Sequence, residues 1–491
     1  MAWGIQTRKK AASRVSTSTT RRKRKAKLEV YRGVKPQGWK ELKPYQHQRR
    51  VTSLQNYVSD IVFDTSDAGT GKTYAHLIAW HKRRQQGGGK LLVLCPKSIM
   101  FAAWANDITK FFPEEYTVSI SNATTKFAAF IDEAQIVVMN HDGVKWFLKD
   151  KNWQEYLDGF DTVIIDESEA YKNHTSQRSK AAATLVRRFK YRAVLSATPF
   201  NKSVTELWHQ IYLLDGGALL GKSFFQFRNA VCSPVQKGPR PEMREWVDKP
   251  GVDDEIALIL KSINVRNKFE ECLDIPPNVT RHVPFHLSAK HMDYYETMKE
   301  DAILELSEGN VTAVNAAVLT SKLLQVASGS VYTEDRDPVV VDEGRYDLIS
   351  ELVKEREHSL VFFQWTHQRD ALKKYFDKEG ITYEIIDGTV HDTRRKNIVE
   401  GYQKGLYKTL LLHPKSAGHG LTLTKGVATI WASPVYSPAL FEQANHRIYR
   451  AGQTKHTETI MIEAVDTLES RINETLSKRL DKMENLLEML Q

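Results

Sequence analysis

At 491 residues, with 41% apolar and 26% charged side chains, the chain is long enough for two to four domains of ordinary globular composition. No run of about 18 apolar residues occurs, so no membrane span is expected, and the basic start lacks the apolar segment of a secretory signal. Cys95, Cys232 and Cys272 form no C-x-x-C pair, which argues against a zinc site or disulfide framework and fits a reducing compartment.

The formal charge of +10 is unevenly placed. Residues 1 to 27 carry ten Lys or Arg and no acid, so the remainder sums to about zero. Ser and Thr separate these charges and few apolar residues accompany them. Residues 1–38 are therefore expected to be a basic tail without a core of its own. It can serve as an arm for nucleic-acid phosphates, as a nuclear address in TRRKRKAK, or as a solubilising extension.

From about residue 58 short apolar runs alternate with amphipathic ones. DIVFD, LLVLC, IVVM, TVIID and YRAVLS read as strands buried on both faces, as a covered parallel sheet requires. KTYAHLIAWHKRRQQ reads as a helix closed by Gly87-Gly88-Gly89. These runs define a first lobe over 39–232. Prolines and glycines between 233 and 254, then a helical zone at about 288–328, mark a linker and helical insertion over 233–340. SLVFF, YEII, TLLL, VATIWA and TIMIEAV restart the alternation as a second lobe over 341–465. In 466–491, Leu468, Ile472, Leu476, Leu480, Met483, Leu487 and Leu490 recur at helical spacing, the stripe of a helix packed on a lobe.

The sharpest motif is TSDAGTGKT. Its loop, Ser66-Asp67-Ala68-Gly69-Thr70-Gly71, follows a strand and opens a helix. The glycines let backbone N–H groups curl around phosphate at the positive end of that helix. Lys72 is placed to reach the β and γ phosphates and Thr73 to put its hydroxyl on Mg²⁺. TVIIDESEAYKN adds Asp166 as a second metal contact and Glu167 to orient or deprotonate water. After YRAVL, the hydroxyls of Ser196 and Thr198 can sense the phosphate state through the acidic motif. Near the end, EQANHRIYRAGQ sets Arg447 and Arg450 three apart, one face of a helix, although solubility alone often places such a pair.

In this order the motifs resemble helicase superfamily two, and within it the Swi/Snf-like DNA translocases of compact bacterial or viral type. LKPYQ, LCPKSIMFAAWANDITKFFP, ATPFNKSVTELWHQIYLLDGGALLG, SLVFFQWTHQRDAL, SAGHGLTLT and SPALFEQANHRIYRAGQTKHTETI carry the likeness over about 42–475. The resemblance implies an α/β fold of two RecA-like parallel-sheet lobes with a helical insertion between them. It implies that Gln46 reads adenine, and that Gln443, Arg447 and Arg450 face ATP from the second lobe. It also places Lys97, Ser98, Asn140, Lys172, Gln364 and Ser416 near DNA. Departures include Asp-Glu-Ser-Glu where Ala or Gly then His is usual, His419 for glycine, Thr422 for Asn, and Tyr436-Ser437-Pro438 for Trp-Asn-Pro.

The expected activity is a DNA-stimulated ATPase using ATP and Mg²⁺, a monomer that moves along duplex or branched DNA without regard to sequence. The expected compartment is the cytoplasm of a bacterium or an infected host, or the nucleus in a eukaryote. The alternatives are a strand-separating or branch-migrating helicase on DNA or RNA, and a nucleotide-gated DNA clamp that hydrolyses little.

Overall fold

A computed structural model describes residues 5–7, 28, 30–131, 133–236, 244–272, 274–307, 313–333, 335, 337–417 and 421–490. Most of the expected basic tail, and His419, lie outside them. The chain divides into two compact units: residues 1–272 with 482–491, and residues 273–481.

The first unit is built on a nine-stranded sheet. Its strands are β1 (Ile5–Thr7), β2 (Val30–Gly33), β3 (Ile61–Asp64), β4 (Lys90–Cys95), β5 (Thr117–Ser121), β6 (Ile136–Asn140), β7 (Phe160–Asp166) and β8 (Tyr191–Leu195). A hairpin of β9 (Cys232–Gln236) and β10 (Arg244–Asp248) follows outside it, and β11 (Asn264–Val265) completes it. The order is β1-β2-β5-β6-β4-β7-β8-β3-β11. From β5 to β11 every pairing is parallel, while β1 and β2 add antiparallel at one edge. All five strands read as continuous apolar runs are present. Leu91 to Cys95 and Ile136 to Met139 are fully buried, because helices cover both faces. β2 lies inside the expected tail: Tyr31 packs on Phe101 at 5.0 Å between ring centres, enough apolar contact to hold a short strand that the basic charge pattern obscured.

The second unit holds β12 (Asn278–Phe285), a small hairpin of β13 (Ser330–Tyr332) and β14 (Pro338–Val340), and then β15 (Ser359–Phe362), β16 (Tyr383–Ile386), β17 (Thr409–Leu412), β18 (Ala428–Trp431) and β19 (Thr457–Ala464). Its six-stranded sheet, β12-β19-β18-β15-β17-β16, is parallel throughout. Helices Ala289–Ser307 and Ala313–Ala327 fill the expected helical zone. The expected insertion over 233–340 is divided: its part up to 272 belongs with the first unit and the rest with the second. Two strands explain this. β11 is only two residues long, and β12 is a polar, Pro284-containing edge strand, so neither has the signature of a buried run.

The last helix, Leu468–Met489, begins in the second unit. There Glu469 takes a bidentate, fully buried ion pair from Arg345 at 2.7 and 2.8 Å. From residue 482 its turns group with the first unit. Among the described residues no helix is long and apolar enough to cross a membrane.

In each sheet the parallel register brings the carboxyl ends of neighbouring strands level. Asp64 pairs with Leu195, Leu195 with Asp166, and Cys95 with Asn140; in the second sheet Phe362 pairs with Leu412 and Trp431. Ligands of such sheets bind beyond these ends, where the loops carry the chemistry.

Candidate nucleotide site

β3 ends at Asp64 and the phosphate loop follows. Gly69 and Gly71 have φ of 88° and 80°, the left-handed region where a side chain is strained, and Gly71 caps helix Lys72–Gln85. A Cβ on Gly71 would stand 2.3 Å from Gln48 Nε2. Gln48 is buried; its Nε2 donates to the Thr70 carbonyl at 3.3 Å and its Oε1 accepts from the Tyr45 N–H at 3.0 Å. His47 Nε2 also donates to the Thr70 carbonyl, at 2.8 Å. Gln46, the expected adenine reader, begins helix Gln46–Ser53 with its side chain exposed. The two residues after it, which the sequence reading passed over, are those that grip the loop.

Lys72 Nζ curls over the loop and donates to the carbonyls of Ser66 at 2.5 Å and Asp67 at 3.0 Å. Thr73 is half-buried in the first turn of the helix. Behind the loop, fully buried His76 donates Nε2–H to Asp64 at 2.8 Å and accepts from Gln55 at 2.7 Å. Burial pushes the Asp64 carboxyl up, but the His76 hydrogen bond, the Lys72 charge and the Ser66 hydrogen bond outweigh it and hold that carboxyl below its usual range. The loop therefore rests on a fixed, buried anion, whose other oxygen accepts the Ser66 N–H at 2.9 Å.

β7 delivers the acidic motif at the same edge of the sheet, two strands away. Asp166 accepts from Trp104 Nε1 at 2.9 Å and from the Glu167 N–H at 3.0 Å. Burial, then the neighbouring Glu167 charge, raises the Asp166 carboxyl to about 6. Glu167 itself sits at φ 53° and ψ 57°, a left-handed conformation that costs a non-glycine residue roughly 1–3 kcal/mol and persists where surrounding structure imposes it. Two carboxyls crowded at a strand end form a donor set suited to a divalent cation. Among the described residues no cluster of three or more His, Cys, Asp or Glu could hold a metal unaided. Mg²⁺ needs none, because one or two protein oxygens suffice when phosphates and water complete the octahedron. Asp166 and the Thr73 hydroxyl fit that role.

Glu169, at the position where relatives of this motif carry histidine, accepts from Ser196 Oγ at 3.2 Å. Burial and the Glu167 charge push its carboxyl up to about 8. The Ser196 hydroxyl also receives the Thr198 N–H at 3.2 Å, while Thr198 Oγ1 is buried without a hydrogen-bond partner. A second link passes through Gln210, which accepts from Ser168 Oγ at 2.6 Å and donates to the Pro199 carbonyl at 2.5 Å. The turn after β8 is thus joined to the acidic motif twice.

In the second unit, helix Pro438–Asn445 starts on Ser437, whose hydroxyl accepts the Leu440 N–H at 3.4 Å. This is the serine that replaces the usual Asn before the final motif. The helix ends at Asn445, whose Oδ1 takes hydrogen bonds from Thr429 and Trp431. Arg447 and Arg450 therefore lie on the turn beyond the helix, not on one helical face as their spacing suggested. They nevertheless converge: both donate to the Leu421 carbonyl, at 3.2 and 2.9 Å. Arg447 Nε also donates to the carbonyl of buried Gln443 at 2.8 Å. Gln453 fixes the turn by donating to Thr424, Gly426 and Ile448 carbonyls at 3.0–3.2 Å.

The candidate DNA residues occupy the remaining strand ends. Lys97 and Ser98 are exposed just after β4, and Asn140 ends β6 half-buried. Lys172, after β7, pairs with Glu206 at 3.1 Å. Gln364 and Ser416 follow β15 and β17; Gln364 Nε2 is buried without a hydrogen-bond partner.

Comparison with known proteins accounts for this arrangement. Residues 47–328 match the model of the SNF2-related domain and residues 344–452 that of the helicase conserved C-terminal domain. Protein p41 of Acyrthosiphon pisum secondary endosymbiont phage 1 is 26% identical over 472 residues, covering 91% of this chain and 98% of p41. YwqA of Bacillus subtilis, named for ATP-dependent helicase/translocase activity, is 24% identical over 84% of this chain. An ATP-dependent helicase of Mycoplasma pneumoniae, itself uncharacterised, is 24% identical over 90%. The chain spans less than half the length of these two bacterial relatives, 45% and 44%. The solved Sulfolobus solfataricus SWI2/SNF2 ATPase core in complex with dsDNA aligns with 91% of the chain at 21% identity and a TM-score of 0.41. With more than half of its length matched by one family model, and the loop, acidic and arginine motifs in that family's order, the chain belongs to the SNF2-related helicases of superfamily two.

Proposed function

We propose that the protein is an ATP-driven motor that tracks along duplex or branched DNA, reading its backbone and not its sequence. The observation that carries this reading is Glu167, held in a left-handed conformation beside Asp166 at the strand edge that also presents the phosphate loop. A clamp that only binds nucleotide has no need of a strained carboxylate there.

In this reading the loop amides and Lys72 take the phosphates, and Thr73 and Asp166 hold Mg²⁺. Bound there, the ion would supply positive charge against the negative charge of the phosphoryl group in transfer. Glu167 orients the attacking water, and Arg447 and Arg450 stabilise charge on the phosphoryl group in transfer, an effect worth roughly 10³ to 10⁵ in turnover. The Ser196–Glu169 contact passes the state of the acidic motif to the turn at 196–198. Lys97, Ser98, Asn140, Lys172, Gln364 and Ser416 grip phosphates, so binding weakens steeply with salt.

The names of the bacterial relatives carry both helicase and translocase, which keeps strand separation as the second reading. Unwinding must offset stacking of about 1.4 kcal/mol per base step, whereas tracking needs only alternating grips on the backbone. The test compares triplex displacement, four-way junction migration and fork unwinding at matched ATPase rates. Tracking predicts third-strand displacement with poor fork unwinding; efficient fork unwinding without displacement establishes the helicase instead. An ATPase rate unmoved by DNA would dispose of both.

A further inference from the structure

The phosphate loop is stitched, residue by residue, to a segment about two hundred positions later. The Thr65 N–H donates to the Val265 carbonyl at 2.9 Å, and the Asp67 N–H to the Asn267 carbonyl at 3.0 Å, which carries the β3–β11 ladder on into the loop. Asn267 donates twice to the Ser66 hydroxyl, at 3.1 and 2.9 Å. Both Asn267 nitrogens thus hold the Ser66 side chain. The Asp67 carboxylate is taken at both oxygens, by Arg266 at 2.7 Å and by the Phe269 N–H at 2.8 Å.

Arg266 is the centre of this arrangement. Its side chain is 1% exposed and carries a full charge. One nitrogen serves both Asp67 and the Thr65 carbonyl, each at 2.7 Å; the other reaches Glu484 in the last helix at 2.9 and 3.2 Å. Asn264 Nδ2 donates to the Leu490 carbonyl at 3.3 Å, so the end of that helix holds the same segment at a second point. Lys268 pairs with Glu488 at 2.5 Å and more loosely with Glu484 at 3.4 Å, and Glu488 makes the outer of these pairs. Without Glu484 one guanidinium nitrogen of Arg266 loses its carboxylate and Asp67 is left as the charge partner, so the guanidinium and the loop contacts it carries are released to shift.

We propose that Arg266 is a positioning residue for the phosphate loop and that Glu484, near the end of the last helix, holds it in place, so seating of that helix end sets the affinity for ATP. Arg266 acts through Asp67 and Thr65 on the loop amides and needs no contact with nucleotide. The inference rests on the reading of this loop as an ATP site.

The experiment uses the full chain with Glu484→Ala, Glu484→Asp and Glu488→Ala, measuring the ATP KM and kcat of the DNA-stimulated ATPase, the Kd of a fluorescent ATP analogue, and the Tm. Glu484→Ala is expected to raise KM and Kd about tenfold with kcat at saturating ATP within about twofold of wild type. Glu484→Asp is expected to recover most of the affinity. Glu488→Ala, which removes only the outer pair, should leave KM unchanged. An unchanged KM in Glu484→Ala overturns the inference, as does an equal KM rise in Glu488→Ala, which would reduce the effect to general loosening of the helix. If Glu484→Ala does not fold, Glu484→Gln supplies the same KM and Kd comparison with the acceptor oxygen kept and the charge removed. In each of these cases wild type still binds and hydrolyses ATP; a wild-type chain that does neither defeats the ATP-site reading itself.

Discussion

Ser196 donates its hydroxyl to the Glu169 carboxyl at 3.2 Å, joining the turn after β8 to the acidic loop after β7 through one hydrogen bond. A protonated carboxyl suits that position, since Glu167 and Asp166 stand beside it and its own pKa is raised from 4.5 to about 8 by burial and then by Glu167. Because the folded-state value lies above the unfolded one, the neutral form stabilises the fold at low pH. That stability is fully present below about 4.5 and is lost as pH rises through about 8. Glu169→Gln, which cannot ionise, should remove this slope. Denaturation midpoints of the two proteins, followed from pH 5 to 9, should converge at the acid end and favour the variant at the alkaline end. Parallel curves would show that Glu169 is ionised throughout.

Lys72 and Glu167 should fail in different ways. Lys72→Ala removes the cation that now rests on the Ser66 and Asp67 carbonyls, so ATP binding and hydrolysis should both be lost. Glu167→Gln keeps the loop and should bind ATP nearly as wild type while turnover falls by roughly 10² or more, as expected when only water activation is removed. Equilibrium binding and single-turnover hydrolysis separate the two; a Gln variant turning over at the normal rate would remove Glu167 from the reaction.

For the arginine turn, Arg450→Ala is expected to retain ATP binding and lose about 10³ in DNA-stimulated turnover. Arg447→Ala should add a loss of stability, because its guanidinium is buried and also secures the Gln443 carbonyl. Turnover and thermal melting, measured on both, assign the roles. Undiminished turnover in Arg450→Ala would leave the pair as a structural clasp around Leu421.

Gly71 tests the loop from beneath. Alanine there meets Gln48 Nε2 and must also hold φ at 80°, so Gly71→Ala should cost about 2–3 kcal/mol and weaken ATP binding. Placing it in a Gln48→Ala background removes the collision but not the strain. The double variant should therefore be more stable than the sum of the singles by about 1 kcal/mol. Strict additivity would mean that the amide simply swings aside.

The ten strands of the two lobes were legible as apolar runs, unbroken where a parallel sheet is covered on both faces, as Leu91 to Cys95 illustrates, and shorter at the half-buried edge strand β16. The phosphate loop was legible because glycines at left-handed positions have few substitutes. The arginine turn was legible in composition but not in shape: spacing of three suits a helix equally well, and the backbone leaves the helix at His446, before either arginine. Gln210, Trp104 and the pair His47–Gln48 were invisible in their roles, since a buried amide or indole has no local pattern that reveals which acid or carbonyl it meets. Segment 264–269 was hidden most deeply. Its contacts with residues 65–67 span about two hundred positions, and no periodicity encodes a partner at that distance.

That separation has a consequence for synthesis. At roughly 5–20 residues per second, ten to forty seconds of translation pass between making the phosphate loop and making the segment that is stitched to it. Strands β3 to β8 can collect meanwhile, but the Ser66 hydroxyl and the Asp67 carboxylate wait for their partners until Arg266, Asn267 and Phe269 emerge. A chain halted after Cys232, the expected close of the first lobe, would hold every residue of the nucleotide motifs in that lobe and lack the strand that shapes them. On the proposed role of Arg266, nucleotide affinity would thus be acquired late, well after the last residue of the loop has left the ribosome.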